Sequence, residues 1–156
     1  MYLQKRNFNT NPQGLNTTKC VSARKVSADQ SSHEVVQDIS YYDTSSNSWK
    51  TFRKNYNAKA WGTKSNQVDF FESPTSSGPT MTYLVLYAEA DCMVVKLLYR
   101  STEKHRACEF FVKDAYFKNT EAHQCCNHMY EISCEPAVQI LYQPEECSTL
   151  EQKKNG

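Results

Sequence analysis

Apolar and polar residues alternate in short stretches along most of the chain. Met93, Val95 and Leu97, for example, occupy alternate positions. Lys96 lies between two of them and sets an outward face, so the pattern predicts a strand with one apolar face. Similar stretches, rich in β-branched and aromatic residues, predict further strands. The predicted strands cover 1–7, 20–27, 34–42, 49–55, 58–62, 67–72, 80–88, 93–99 and 107–112.

Short strands at this regular spacing favour an all-β domain, either a barrel or a sandwich. Towards the end of 80–88 the apolar residues fall on both faces, so something must also cover the outside of the sheet. The only good helical candidate is 120–133, and its cysteines and Met129 would dock it there. The polar C-terminus predicts a frayed end. We therefore expect a single domain over 1–148 and a flexible tail over 149–156.

Length and charge exclude some classes of function. The chain of 156 residues is long enough for one domain with one core. Its net charge is +1, with 18 basic and 17 acidic residues interspersed, so no strongly charged surface indicates binding to nucleic acid. No apolar run approaches the ~20 residues that a transmembrane helix needs. We expect neither a nucleic-acid partner nor a membrane span.

The cysteine content indicates the cellular compartment. Seven cysteines are many for a chain of this length. Cytosolic thiols stay reduced, whereas small extracellular proteins use disulfides, so the count predicts a secreted, extracellular protein. The first residues lack the apolar core of a signal peptide, and we interpret the chain as mature or trimmed. Asn16 begins an Asn-Thr-Thr acceptor for glycosylation, which predicts a glycoprotein.

The segment from His123 to His128 has the residue types that bind zinc, including the adjacent Cys125 and Cys126. Zinc sites favour cysteines roughly two to four residues apart with a second pair in register, however, and adjacent cysteines better suit two separate disulfides. No nucleophile stands in a catalytic motif, and we interpret the carboxylates at 145–146 as solvated loop charges. The sequence therefore predicts no enzyme, no cofactor and no metal site.

Aromatic residues are the better functional clue, because the chain has ten Tyr, seven Phe and two Trp. Several occupy alternate strand positions, which directs them into one interior. A closed barrel of about eight strands is wide enough to hold one small ligand, and an aromatic lining with a few polar groups is typical of such sites. The alternative is that the aromatic side chains fill a solid core.

The second half of the chain carries a recognisable order of strands and cysteines. It consists of the strand 82–87, Asp91-Cys92-Met93-Val94-Val95, Cys108-Glu109-Phe110-Phe111, and then Cys125, Cys126, Tyr130, Cys134, Tyr142 and Cys147. Upstream, Asn11-Pro12 precedes Cys20, and Tyr41-Tyr42-Asp43-Thr44 looks like a family hairpin. Over nearly its whole length the chain resembles the tick salivary lipocalins, the histamine-binding-protein family. The resemblance implies an eight-stranded antiparallel lipocalin barrel with a C-terminal α-helix packed on the outside.

The resemblance also implies how the cysteines pair. The implied disulfides are Cys20 with Cys147, Cys92 with Cys125 or Cys126, and Cys108 with Cys134, and we favour Cys126 as the partner of Cys92. One cysteine then remains. It is free, joined to another molecule, or left over because its partner lies in an N-terminal segment that this chain lacks.

Members of this family bind histamine, serotonin, leukotrienes, thromboxane, fatty acid or sterol in the barrel. Amine binders need several inward carboxylates, because a buried ammonium is costly unless it is paired. In this chain Glu109 is kept, whereas Asn11, Tyr83 and Met93 occupy positions of other family acids. The resemblance therefore implies a hydrophobic or amphipathic ligand. Its implied binding residues are Phe8, Asn11, Tyr41, Met81, Tyr83, Val85, Met93, Val95, Glu109 and Phe111.

We therefore expect a secreted tick salivary lipocalin that binds a lipid mediator, fatty acid or sterol and modulates host immune and inflammatory defence. One alternative is a scavenger of histamine or serotonin that acts through Glu109. Another is an immunomodulator that acts on host cells or a host protein through its outer surface while the barrel is merely filled.

Overall fold

The computed structural model describes residues 1–9, 17–61, 68–75, 78–118, 121 and 124–155, and a closed antiparallel sheet dominates them. The barrel strands are β1 (Tyr2–Arg6), β2 (Thr18–Asp29), β3 (Glu34–Asp43), β4 (Ser48–Lys59), β5 (Phe70–Ser73), β6 (Met81–Ala88), β7 (Cys92–Leu97) and β8 (Cys108–Val112). Consecutive strands from β2 to β8 pair with each other, and β1 closes the barrel by pairing with both β8 and β2. The predicted eight-stranded antiparallel barrel is confirmed.

Strand β4 is longer than predicted. The sequence predicts two strands, 49–55 and 58–62, and the break between them is wrong. In the structure Asn55, Tyr56 and Asn57 all pair with β3. Tyr56 faces the barrel interior, whereas Asn55 is exposed. The strand can therefore continue through Asn55, because the polar side chain of this residue stays in solvent. The polar residues that suggested a turn therefore lie within one continuous strand.

Two helices, α1 (Asp114–Lys118) and α2 (Gln124–Ser133), cover the outside of the barrel. Helix α2 lies along β6 and β7, and Tyr116 of α1 packs against Phe110 of β8. Tyr116 of α1 and Cys126 and Tyr130 of α2 pack against outward residues of the strands, and among these Phe110 is fully buried. The predicted helix 120–133 is confirmed for the part that the structure describes. No helix formed by the described residues is long and apolar enough to cross a membrane.

Three disulfides tie these outer elements to the barrel. They join Cys20 in β2 to Cys147, Cys92 in β7 to Cys126 in α2, and Cys108 in β8 to Cys134 just after α2. These are the pairs that the resemblance implies. Cys125 is an exposed free thiol, so the adjacent cysteines do not form two separate disulfides. Neighbouring positions on a helix point in different directions, and only Cys126 faces the barrel.

The C-terminal segment is helical where the sequence predicts a frayed tail. A short strand, β9 (Gln139–Ile140), first pairs with β1 from outside the barrel, and helix α3 (Pro144–Asn155) follows. Two glutamates in the first turn and two lysines in the last turn of α3 complement the helix dipole, and Leu150 packs beside the Cys20–Cys147 disulfide. The carboxylates at 145–146 therefore open a helix rather than lie in a loop. Mobility of 149–156 remains a prediction.

Removing the Cys20–Cys147 disulfide should cost considerable stability, because it closes the longest loop in the chain, with a sequence separation of 127. We expect the double variant Cys20→Ser/Cys147→Ser to lose about 3–5 kcal/mol of unfolding free energy, since the unfolded chain gains conformational freedom. Urea denaturation followed by circular dichroism measures this loss. Cys125→Ser is the control, and we expect a change within about 0.5 kcal/mol because its side chain is exposed and unpaired. Equal losses in both variants would contradict this account.

Candidate ligand-binding site

The barrel encloses a cavity of about 350 Å³. Sites for small molecules commonly measure roughly 300–1,000 Å³. Its apolar lining consists of Leu3, Phe8, Val21, Ala23, Ile39, Phe52, Leu97 and Phe111. Its polar lining consists of Arg6, Thr18, Tyr41, Lys54, Tyr56, Tyr83, Tyr99, Arg100 and Glu109. A volume of this size with mixed walls suits one small amphipathic molecule.

The pleat of the strands determines which side chains face the cavity. On β4, Phe52, Lys54 and Tyr56 occupy alternate positions and all three line it. On β8, Glu109 lines it, whereas its neighbour Phe110 packs outwards against α2. Because successive side chains alternate between faces, a lysine and a glutamate enter an otherwise largely apolar interior.

The cavity reaches solvent at the end of the barrel where β7 stops. Tyr99 and Arg100 lie in the connection after β7, line the cavity and are exposed. Phe52 lines the same end and is 49% exposed. We call this exposed end the mouth of the cavity, and it offers a route of entry for a ligand.

One carboxylate and three cationic side chains share this cavity. Glu109 is only 9% exposed, and burial raises the pKa of its carboxyl group. The positive charges of Arg6, Lys54 and Arg100 act in the opposite direction on that pKa. Among the described lining residues, cations therefore outnumber carboxylates by three to one.

A lysine and two tyrosines form a polar cluster across the cavity. The Lys54 ammonium donates a hydrogen bond to the Tyr83 hydroxyl, which lies 3.4 Å from the Tyr99 hydroxyl. Burial lowers the pKa of Lys54, while the charge of Glu109 opposes this shift. Burial raises the pKa of Tyr83, so its hydroxyl stays protonated and can donate to an anionic oxygen.

Two guanidinium groups lie against one aromatic ring. Arg6 is 5.1 Å and Arg100 is 4.7 Å from the centroid of the Phe8 ring. Arg6 also donates from Nε to Oε1 of Gln139, at 2.5 Å. Ring contacts of this kind stabilise a cation and limit its rotamers. Phe8 therefore helps to hold two cations in place at the cavity wall.

The structure brings together some of the predicted site residues. Phe8, Tyr41, Tyr83, Glu109 and Phe111 line the large cavity. Met93 lines a smaller adjoining cavity of about 80 Å³. Met81, Val85 and Val95 belong to the apolar cluster of the barrel interior without lining the large cavity. Asn11 and the glycosylation acceptor Asn16 lie outside the described residues. Their roles in binding a ligand, and glycosylation of Asn16, remain predictions.

Sequence reasoning missed the three cations of the cavity. Lys54 has a local signal, because it alternates with Phe52 and Tyr56, which both face inwards. Arg6 stands two residues before the inward Phe8, which is a weaker signal of the same kind. Arg100 follows a predicted strand and has no such signal, since only the fold brings it to the cavity.

The segment with zinc-binding residue types is divided between different environments. Cys126 is in a disulfide, Cys125 is exposed, and His123 lies outside the described residues. Within the described part of the chain, no group of three or more His, Cys, Asp or Glu side chains is arranged to hold a metal ion.

Comparison with known families gives one match over most of the chain. The family model described as tick histamine binding protein matches residues 1–149. A search among curated proteins finds no match. The matched range contains all the strands of the barrel and every described residue that lines the cavity.

The Lys54 ammonium should titrate below the ordinary lysine value of 10.5, because its partial burial in the barrel disfavours the charged form. In Glu109→Gln its pKa should fall further, since the variant removes the negative charge that favours the ammonium. NMR of the lysine side-chain methylenes measures both shifts. Lys50 is the control: its Asp43 partner raises its pKa, and the Glu109 substitution should leave it unchanged. A Lys54 pKa that does not respond to Glu109→Gln would contradict their proximity.

Proposed function

The chain belongs to the tick histamine binding protein family, and from this premise we propose that its barrel binds an amphipathic lipid with an anionic head group. The family and the barrel together support a ligand-binding protein. The observation that carries the finer proposal is the positive charge of the cavity lining: among its described residues, Arg6, Lys54 and Arg100 are cationic and Glu109 is the one carboxylate.

A negatively charged head group would balance the charges of the cavity. Buried charges are tolerated when they are paired and hydrogen-bonded. A ligand carboxylate near Lys54 would find an ammonium together with the hydroxyl groups of Tyr83 and Tyr99. The guanidinium group of Arg100 at the mouth has a planar set of donors that matches the geometry of a carboxylate, and Arg6 adds positive charge nearby. These groups support a carboxylate as the preferred head.

The remaining walls favour an apolar body on the same ligand. Leu3, Ile39, Leu97 and Phe111 line the cavity beside the charged groups. Each methylene transferred from water to such walls contributes about 0.8 kcal/mol. A lipid therefore satisfies both parts of the lining, whereas a small polar anion satisfies only one.

The charges weigh against the alternative of amine scavenging. A ligand ammonium could pair only with Glu109 among the described lining residues, and it would lie among three like charges. Like charges in a buried site disfavour each other strongly. Tyr83 and Met93, at positions where the resemblance implies acids, add no negative charge. An anionic ligand would instead lie near three opposite charges and one like charge.

We further propose that the protein is secreted in tick saliva and dampens host defence by sequestering a host lipid mediator. Three disulfides are typical of extracellular proteins. Sequestration needs no catalytic step, because affinity and stoichiometry alone determine how much free mediator remains.

Direct binding measurements on delipidated protein test the ligand class. Isothermal titration calorimetry with palmitate, leukotriene B4, cholesterol, histamine and serotonin covers anionic, neutral and cationic candidates. We expect the two carboxylates to bind at micromolar concentration or tighter, cholesterol more weakly, and the amines least. Amines that bind more tightly than both carboxylates would overturn the proposal.

The substitution Glu109→Gln distinguishes the two hypotheses: it should strengthen the binding of an anionic ligand and weaken the binding of an amine. We expect it to tighten palmitate binding about three- to ten-fold, because it removes the negative charge that competes with the ligand. Lys54→Met should weaken palmitate binding about ten-fold, since it removes one of the cations. Calorimetry on both variants measures these changes.

The matched control for Glu109→Gln is Glu135→Gln, which neutralises a carboxylate that contacts Arg106 outside the cavity. Its palmitate affinity should equal that of the unmodified protein. If Glu109→Gln instead abolishes ligand binding, the carboxylate itself holds the ligand and the anionic head group is wrong.

A further inference from the structure

We infer that the barrel is built for a carboxylate on a single long chain, whose tail passes two tyrosines and enters a second, apolar chamber. The second chamber is the cavity of about 80 Å³. Its lining includes Val35, Gln37, Phe71 and Met93, which do not line the large cavity. The inference rests on the proposed function and specifies the ligand of the same site.

The two cavities adjoin inside the barrel. Five lining residues belong to both of them: Ala23, Ile39, Tyr56, Tyr83 and Phe111. The groups found only in the large cavity include Tyr99 and Arg100 at the mouth. Those found only in the second chamber are Met1, just before β1, and residues from the start of β3, from β5 and from the start of β7, at the opposite end of the barrel. A ligand that enters at the mouth reaches the second chamber by continuing along the barrel.

Two aromatic rings narrow the passage between the chambers. The rings of Tyr56 and Tyr83 lie edge to face with centroids 5.7 Å apart, and Tyr56 also contacts Phe71. The hydroxyl of Tyr83 is held on the side of the large cavity by Lys54. A flexible alkyl chain can adapt its torsions to the rings that line such a narrowing, whereas a rigid fused-ring system cannot. This feature favours a chain over a sterol.

The difference in polarity between the chambers sets the direction of the ligand. All four charged side chains of the lining belong to the large cavity. Apart from the two shared tyrosines, Gln37 is the one polar side chain among the described residues that line the second chamber. The α-ammonium of Met1 also lies at this end, where it already donates to the backbone oxygen of Ala23. A carboxylate placed there would lose the three cationic side chains and the tyrosine hydroxyls of the large cavity, while an alkyl end would lose only water. The head therefore lies in the large cavity and the tail in the second chamber.

Chain length is the measurable consequence. Each methylene that moves from water into the second chamber should tighten binding about four-fold. We expect calorimetry with octanoate, laurate, palmitate and stearate to show affinity that rises with chain length until the second chamber is full. Titrations with arachidonate and leukotriene B4 are included as well. Comparing their affinities shows whether the protein prefers a plain fatty acid or an oxygenated lipid mediator. Either one binding more tightly than octanoate supports the inference.

Met93 provides the decisive variants, because it lines the second chamber and not the large cavity. Met93→Trp fills the chamber, and we expect the ratio of the octanoate and palmitate dissociation constants to fall at least ten-fold. Met93→Ala enlarges the chamber and should move the preference towards stearate. Val26→Trp, at an exposed position of β2, is the control that adds the same side chain outside the barrel and should leave the ratio unchanged.

The outcomes separate this inference from the proposed function. Octanoate and palmitate binding with equal affinity would overturn the second chamber but leave the anionic site intact. Failure to bind any carboxylate would overturn both. If Met93→Trp does not fold, Met93→Ala decides, and an unchanged chain-length preference in that variant would overturn the inference.

Discussion

Closure of the sheet between β1 and β2 is the constraint on which the rest of the structure depends. It rests on a short contact, in which Tyr2 pairs with Ser22 and the backbone of Met1 bonds to Ala23. Closure removes the free edges of the sheet and separates an interior from water. Arg6 lies on β1, so the strand that closes the barrel also carries one of the cations into the cavity.

Three cations beside one carboxylate make the interior costly to bury, and their neighbours explain how the barrel tolerates them. Phe8 lies against both guanidinium groups, and Lys54 lies 4.6 Å from the centroid of the Tyr83 ring. Exposure of Arg100 at the mouth keeps part of the charge hydrated. Charged side chains retained in a largely apolar interior are typical of a functional site, because packing alone would favour apolar residues there.

The sequence predicts the strands of the barrel well, but it does not predict which charged side chains face the cavity. Alternation of Met93, Val95 and Leu97 is a local property, so the strand and its inward face could be read directly. Lys54 follows the same alternation, but a lysine is ordinarily assigned to the solvent face, and its neighbours Asn55 and Asn57 suggested a turn. Arg100 reaches the cavity because the fold brings the connection after β7 against Phe8, which follows β1, and no local pattern reveals this.

The helices and disulfides divide the barrel wall into two unlike halves. Strands β7 and β8 are covered by α1 and α2 and are bonded covalently to the α2 region, whereas residues 24–29 of β2 are all exposed. A wall that is packed on both faces resists deformation, and a wall with solvent on one face opens at lower cost. The exposed end of β2 is therefore the part of the wall that yields at the lowest cost when a ligand enters, while the helix-backed half keeps its shape.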